Sequence, residues 1–303
     1  MSIWFKNLQV FTLASGWDVT PAKLEQTLSA HPLLPCNAAS MQSQGWLLPA
    51  PDSGFVFNQA RNMLVTLGVQ QKLLPAAVIN QTAKERAVEI ERQQGFALGR
   101  KQMRDLKERI ADELRPRAFV RDKAIRAWID PTQRRFVVDT SSPKVAEEVA
   151  SVLRSDLGEF PATPIATQTA VGAAMTTWLM AGKASNEFAL DQDCELIGGE
   201  QNAAAVRYVR HGLDGQEIRS LIKGGKTVSK LGLIWRERLA FVLTDQFAIK
   251  RLRFQAMDDD AGDQPRSREA VADEFEAAMT LLTGELGGLL DDLVARLGGL
   301  QST

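Results

Sequence analysis

The spacing of apolar and polar positions divides the chain into short β-like and helical stretches. Residues 3–13 carry β-branched and aromatic side chains and predict a strand. Thr20-Pro21 opens a helix, since a threonine hydroxyl caps free N–H groups and proline sits where no N–H is needed. Strands are predicted around residues 45–48, 55–58 and 63–69, bounded by Pro49, Pro51 and Gly54. Residues 76–114 are rich in Glu, Lys, Arg, Gln and Ala, which favour helix. Their apolar positions are too few for burial on all sides, and Gly95 and Gly99 mark a turn. The prediction there is a helical hairpin projecting from the body and ended by Pro116.

Strands at 124–130 and 134–140, turning through Pro131-Thr132-Gln133, precede a helix opened by Ser142-Pro143 and closed by Gly158. Residues 160–164 read as extended linker and about 173–180 as helix. Further on, strands are expected at 203–210, 227–235, 238–244 and 247–254, with a helix at 214–222 ending at Gly224-Gly225. Residues 258–263 read as an acidic loop, and 267–297 as helix bent or broken at Gly284, Gly287 and Gly288. The order strand–helix–strands occurs in both halves without a residue-level repeat. The predicted class is α+β, mainly antiparallel sheets with flanking helices. Three regions are expected: a central α+β domain from 1–75 and 115–165, a helical tip at 76–114, and a second α+β base domain at 166–303.

Composition narrows the function. The 303 residues are 45% hydrophobic and 24% charged, enough for a folded core and ordinary for a globular chain. No apolar run approaches the roughly 18 residues that cross a bilayer. The start, Met1 to Asn7, lacks a basic segment followed by an apolar one, so it reads as a first strand rather than a secretory leader. Cys36 and Cys194 are expected as buried free thiols of a reducing cytoplasm. Neither they nor His31 and His211 have metal-ligand spacing, so no metal or cofactor is expected.

The net charge of −1 hides an asymmetry. Residues 200–255 hold 11 bases and 5 acids, a net of +6, whereas 256–303 hold 3 bases and 11 acids, a net of −8. Such a basic block points to a polyanion-binding face or to an unevenly charged solvated surface. In Lys250-Arg251-Leu252-Arg253-Phe254, strand alternation puts Arg251 and Arg253 on one face and Leu252 and Phe254 on the other. Arginine forks suit phosphate oxygens, and phosphate contacts carry no sequence preference. No helix-turn-helix, zinc finger or aromatic RNA-binding motif appears, which favours non-specific duplex binding.

Gly224-Gly225-Lys226-Thr227 has the ending of a phosphate-binding loop, but Ser220 stands where the first glycine belongs and a strand is expected to follow. Nucleotide binding is therefore rejected. The acids of 258–263 have no partner at a nuclease-like spacing, and no hydrolase motif is present. The chain is read as a non-enzyme.

Several segments in order resemble the RdgC family of recombination-associated proteins. They include Ile3-Trp4-Phe5-Lys6-Asn7-Leu8, Leu114-Arg115-Pro116-Arg117-Ala118-Phe119, Trp128-Ile129-Asp130, Gly225-Lys226-Thr227-Val228-Ser229-Lys230-Leu231 and Ile249-Lys250-Arg251-Leu252-Arg253-Phe254. The resemblance covers essentially the whole chain. It implies a ring-shaped homodimer whose basic hole holds double-stranded DNA, with single-stranded DNA a further ligand. It also implies a restraint on the RecA recombinase, a cytoplasmic, nucleoid-associated location, and no catalytic activity or cofactor. Phe119 beside Arg117 matches the family's dimer gate; the alternative is a core phenylalanine. The DNA-facing set is Arg207, Arg210, His211, Lys223, Lys226, Lys230, Lys250, Arg251 and Arg253. Arg210-His211 departs from the lysine–glutamine pair that relatives can carry, which leaves His211 without a clear role. A different reading is a direct protein–protein inhibitor of the recombinase for which DNA binding is incidental.

Overall fold

A computed structural model describes residues 3–50, 52–198, 204–255 and 268–301. In chain order the elements are β1 (Leu8–Leu13), α1 (Pro21–Ser29), β2 (Gln42–Leu47), β3 (Phe57–Gln59), β4 (Asn62–Leu73), α2 (Ala76–Gln94) and α3 (Arg100–Leu114). A 3₁₀ turn, Arg115–Arg117, leads to β5 (Phe119–Asp130), β6 (Arg135–Asp139), α4 (Pro143–Leu157), β7 (Ala162–Pro164) and α5 (Val171–Ala181). Then come β8 (Phe188–Ile197), β9 (Ala205–Tyr208), α6 (Gln216–Lys223), β10 (Thr227–Trp235), β11 (Leu239–Thr244), β12 (Ile249–Phe254) and α7 (Arg268–Arg296).

The capping chemistry works as the sequence dictates. Thr20 Oγ1 accepts from the Lys23 N–H at 3.2 Å, and Pro21 follows at the first helical position. Ser142 caps α4 through the Val145 N–H, and Gly158 closes it at φ 78°. Gly95 ends α2 at φ 80°, the left-handed region that glycine enters without a Cβ penalty. Between α2 and α3, Ala83, Ala87, Leu106 and Ile110 form a small cluster of their own.

Among the described residues, all strands join one 12-stranded sheet in the order β2-β4-β5-β6-β1-β12-β11-β10-β8-β9, with β3 on β4 and β7 on β1. Every strand pair is antiparallel. The two ends of the sheet are covered on opposite faces. Leu24 and Leu28 of α1 and Ala146, Val149, Ala150 and Leu153 of α4 pack on Phe11, Val65, Ile125, Ala127 and Phe136. On the other face, α5, α6 and α7 pack on Leu231, Leu233, Phe241, Leu243, Ile249 and Leu252. Strand alternation makes this possible: β1 gives Leu8 and Val10 to one core and Phe11 and Leu13 to the other.

Several expectations are corrected. The strand expected at 124–130 begins at Phe119, because β4 pairs with β5 in unbroken register from Met63–Ile129 to Leu73–Phe119. Residues 119–124 are exposed and so lack the apolar period that marks a strand in sequence. The supposed linker at 160–164 contains β7, which pairs with β1 through Thr12–Thr163. Strand β8 was not anticipated. The last helix runs unbroken through its glycines. Cys194 is buried, but Cys36 is only half-buried. The acidic loop at 258–263 lies outside the described residues.

Candidate nucleic-acid interface

In the β8–β12 part of the sheet, Leu231, Leu233 and Trp235 of β10 and Leu239, Phe241 and Leu243 of β11 point into the helix-covered core. The residues alternating with them, Lys230, Gly232, Ala240 and Val242, therefore stand on the opposite face. Arg253 is registered with Ala240 and Lys250 with Val242, so both bases join that face. Glu195 is registered between Arg207 on β9 and Lys230 on β10, which places three charged side chains in a row across three strands.

The alternation expected for β12 breaks at Arg251. The β11–β12 register shifts between Ala240 and Val242, and Arg251 takes φ 54°. This bulge lets Ile249 and Leu252, three positions apart, both enter the core. Lys250 and Arg253 thus form the in-register basic pair, while Arg251 springs from the bulge. Its Nη2 reaches Asp193 Oδ2 at 2.6 Å, across the intervening β11 and β10. Since the helix side is filled by leucines, the guanidinium crosses over the charged face. Leu252 and Phe254 lie on the core side as expected, Phe254 with its ring 4.6 Å from Trp4.

Glu195 is nearly buried, at 8% exposure, and accepts three donors: Lys230 Nζ at 2.8 Å, Arg207 Nε at 2.9 Å and Ser229 Oγ at 3.0 Å. Burial alone would raise its pKa, but the hydrogen bonds from Lys230, Arg207 and Ser229 outweigh that and hold it down to about 2. The neighbouring Cys194 thiol is pushed up to about 11 by burial and by Glu195 and Asp193, so it stays protonated and unreactive. Five bases (Arg207, Lys230, Lys250, Arg251, Arg253) share this face with the carboxylates of Asp193, Glu195 and Asp191, the last with its Cβ 3.1 Å from where a Gly232 side chain would begin, so positive charge is in surplus.

The other expected contacts are placed differently. Arg210 follows β9 at φ 52°, exposed, with its N–H donating to Asp193 Oδ1 at 3.0 Å. His211 donates its N–H to the Gln192 carbonyl, and its ring lies 5.5 Å from that of Tyr208, which packs on the helix-side core. Lys223 ends α6, whose Ile218 is buried in that core, so it stands on the covered side of the sheet. Lys226 Nζ is tied to the Ala204 carbonyl at 2.7 Å. The segment after Gly224-Gly225 is strand β10, in keeping with the rejection of a nucleotide loop. Among the described residues, no group of three or more His, Cys, Asp or Glu is arranged to hold a metal ion. No helix there is long and apolar enough to cross a membrane.

Phe119 is not a core residue. It opens β5 with 84% of its surface exposed, directly across from the exposed Leu73 and next to the exposed Val120. Arg117, two residues earlier, is also exposed.

Sequence reasoning missed Asp193 and Glu195, the two acids that organise the basic face. Their strand shows the apolar period in Phe188 and Leu190 and again in Cys194 and Leu196, but three polar residues interrupt it. That interruption is a bulge opposite Gly232, where a Cβ would stand only 3.1 Å from the Asp193 carbonyl oxygen.

A family model described as "Putative exonuclease, RdgC" matches residues 3–300. The recombination-associated protein RdgC of Dechloromonas aromatica (strain RCB) is 42% identical over 300 residues, 98% of both chains. That of Burkholderia ambifaria (strain MC40-6) is 41% identical over 297 residues, 98% of this chain and 96% of the relative. That of Herminiimonas arsenicoxydans is 40% identical over 300 residues, 99% of each. The family model over residues 3–300 and relatives 40–42% identical along nearly the whole chain show that it belongs to the RdgC family of recombination-associated proteins.

Proposed function

We propose that this protein binds duplex DNA without sequence preference, as a homodimeric ring closed around the helix. On the nucleoid it restrains RecA-promoted recombination by occupying DNA. The observation that carries this is the face of β8–β12, where Arg207, Lys230, Lys250, Arg251 and Arg253 gather from three separate strands, β9, β10 and β12. A sheet face studded with arginine and lysine gives many phosphate contacts and no base readout. Arg210 stands beside it, while Lys223 belongs to the helix side and contributes only at longer range.

In this reading the exposed Phe119, with Leu73 and Val120, is the apolar anchor of one ring contact, and α2 and α3 form the projecting tip. An aromatic side chain left in water on a strand end gains by insertion into a partner. Closure makes departure from circular DNA require an opened contact, so residence outlasts the individual phosphate bonds. The protein acts by covering DNA and not by cutting it. Incubation with plasmid and Mg²⁺ or Mn²⁺ is expected to leave the DNA intact; nicked or degraded plasmid would favour the nuclease named in the family description.

The deciding experiment is duplex binding by K250E and R253E together, measured on two duplexes of unrelated sequence. Both affinities should fall alike. Unchanged binding, or loss on one sequence only, would overturn the assignment of this face. Retained inhibition of the recombinase by a variant that no longer binds DNA would favour direct protein contact instead.

A further inference from the structure

Resting on that reading, the two carboxylates that hold bases of this face divide into two kinds. Glu195 is nearly buried and held by three donors, one of them the buried Ser229. Asp193 holds a single guanidinium, that of Arg251, which is 61% exposed. Its second oxygen accepts the Arg210 backbone N–H. A carboxylate and a phosphate offer the arginine fork the same kind of acceptor, so whichever occupies the fork excludes the other.

We propose that Asp193 is a resident competitor for DNA phosphate: it occupies Arg251 in the free protein and yields it to the backbone of bound duplex. Three observations support the exchange. The Arg251 guanidinium is 61% exposed while the Asp193 carboxylate is 20% exposed, so a phosphate reaches the fork from the solvent side and competes with a pair that is screened on its arginine end. Arg251 is anchored at a bulge with φ 54°, so its side chain departs from the strand's regular alternation and spans two strands to meet its partner. Its neighbours Lys250 and Arg253 take part in none of the ion pairs among the described residues, so incoming phosphates are drawn to the spot where Arg251 is released. Glu195, by contrast, stays with Lys230 and Arg207 and fixes their positions.

The exchange alters the ion balance. A phosphate that takes Arg251 releases a counterion from DNA, but the freed Asp193 attracts one back. Asp193→Asn keeps an oxygen for the Arg210 N–H and removes the charge. Its duplex affinity at moderate salt should rise about 2- to 5-fold, the worth of an exposed ion pair. The slope of log K against log salt should steepen by up to about 0.9. Both changes should vanish in Arg251→Gln, where D193N has nothing to release. Equal or weaker binding by D193N, or a gain that persists without Arg251, overturns the proposal. If K250E and R253E still weaken the parent protein in that case, the duplex-binding reading stands alone; if they do not, both fall together.

Discussion

Gly288 of α7 lies against the indole of Trp235 on β10, so close that a Cβ there would stand 3.2 Å from the ring. The same indole donates its N–H to Asp292 Oδ2 at 2.8 Å, one turn further along α7. Gly288 thus lets the last helix pack directly against the Trp235 ring. Gly284, one turn earlier, meets nothing within 4 Å. G288L should destabilise the protein by about 1–3 kcal/mol through overpacking and loss of the indole bond. G284A should stabilise it by roughly 0.5–1 kcal/mol through helix propensity. Urea unfolding of both variants checks the opposite signs.

The exposure of Phe119 separates stability from assembly. Removing a side chain that is 84% exposed should leave the unfolding free energy of the monomer within about 0.5 kcal/mol. If Phe119 anchors the proposed ring contact, Phe119→Ala should nevertheless weaken that contact and shorten retention on closed circular DNA, with less effect on linear DNA. Sedimentation and a plasmid-retention assay measure the two. Parental retention by F119A would remove Phe119 from the interface.

Glu195 makes stability depend on acid pH. Its pKa is depressed from 4.5 to about 2 in the folded protein, so its contribution is complete above 4.5 and is lost as pH falls toward 2. The urea midpoint of the parent should therefore drop over that window by more than that of Glu195→Gln, which has no carboxyl to protonate. Parallel pH profiles would show that the Lys230–Glu195–Arg207 row contributes nothing to folding.

Local chemistry was the most legible part of the sequence. Thr20-Pro21, Ser142-Pro143 and Gly158 act within one turn of helix and need no tertiary information, so they mark boundaries directly. Strand β10 was equally plain, because Leu231, Leu233 and Trp235 alternate into a core at the end of its Thr227–Trp235 span. What failed depended on partners distant in the chain. The outer end of β5 is a strand only because β4 reaches it, and its charged residues carry no period. Gly284, Gly287 and Gly288 looked like breaks because sequence shows the cost of glycine in a helix but not the indole that Gly288 accommodates. On the candidate face, a charge tally begun at residue 200 excludes Asp193 and Glu195, although these are the acids nearest the bases in space. Arg251 and Arg253 were read as one pair, but the bulge makes Lys250 and Arg253 the registered one.

The salt dependence of binding tests the duplex-clamping role most directly. For a mixed-sequence duplex, log K should fall linearly with log salt, by about 0.9 for each phosphate neutralised, and with a shallower slope once Lys250 and Arg253 are reversed. Affinity that stays level from low to moderate salt, or a slope indifferent to those two residues, would contradict a role built on this basic sheet face.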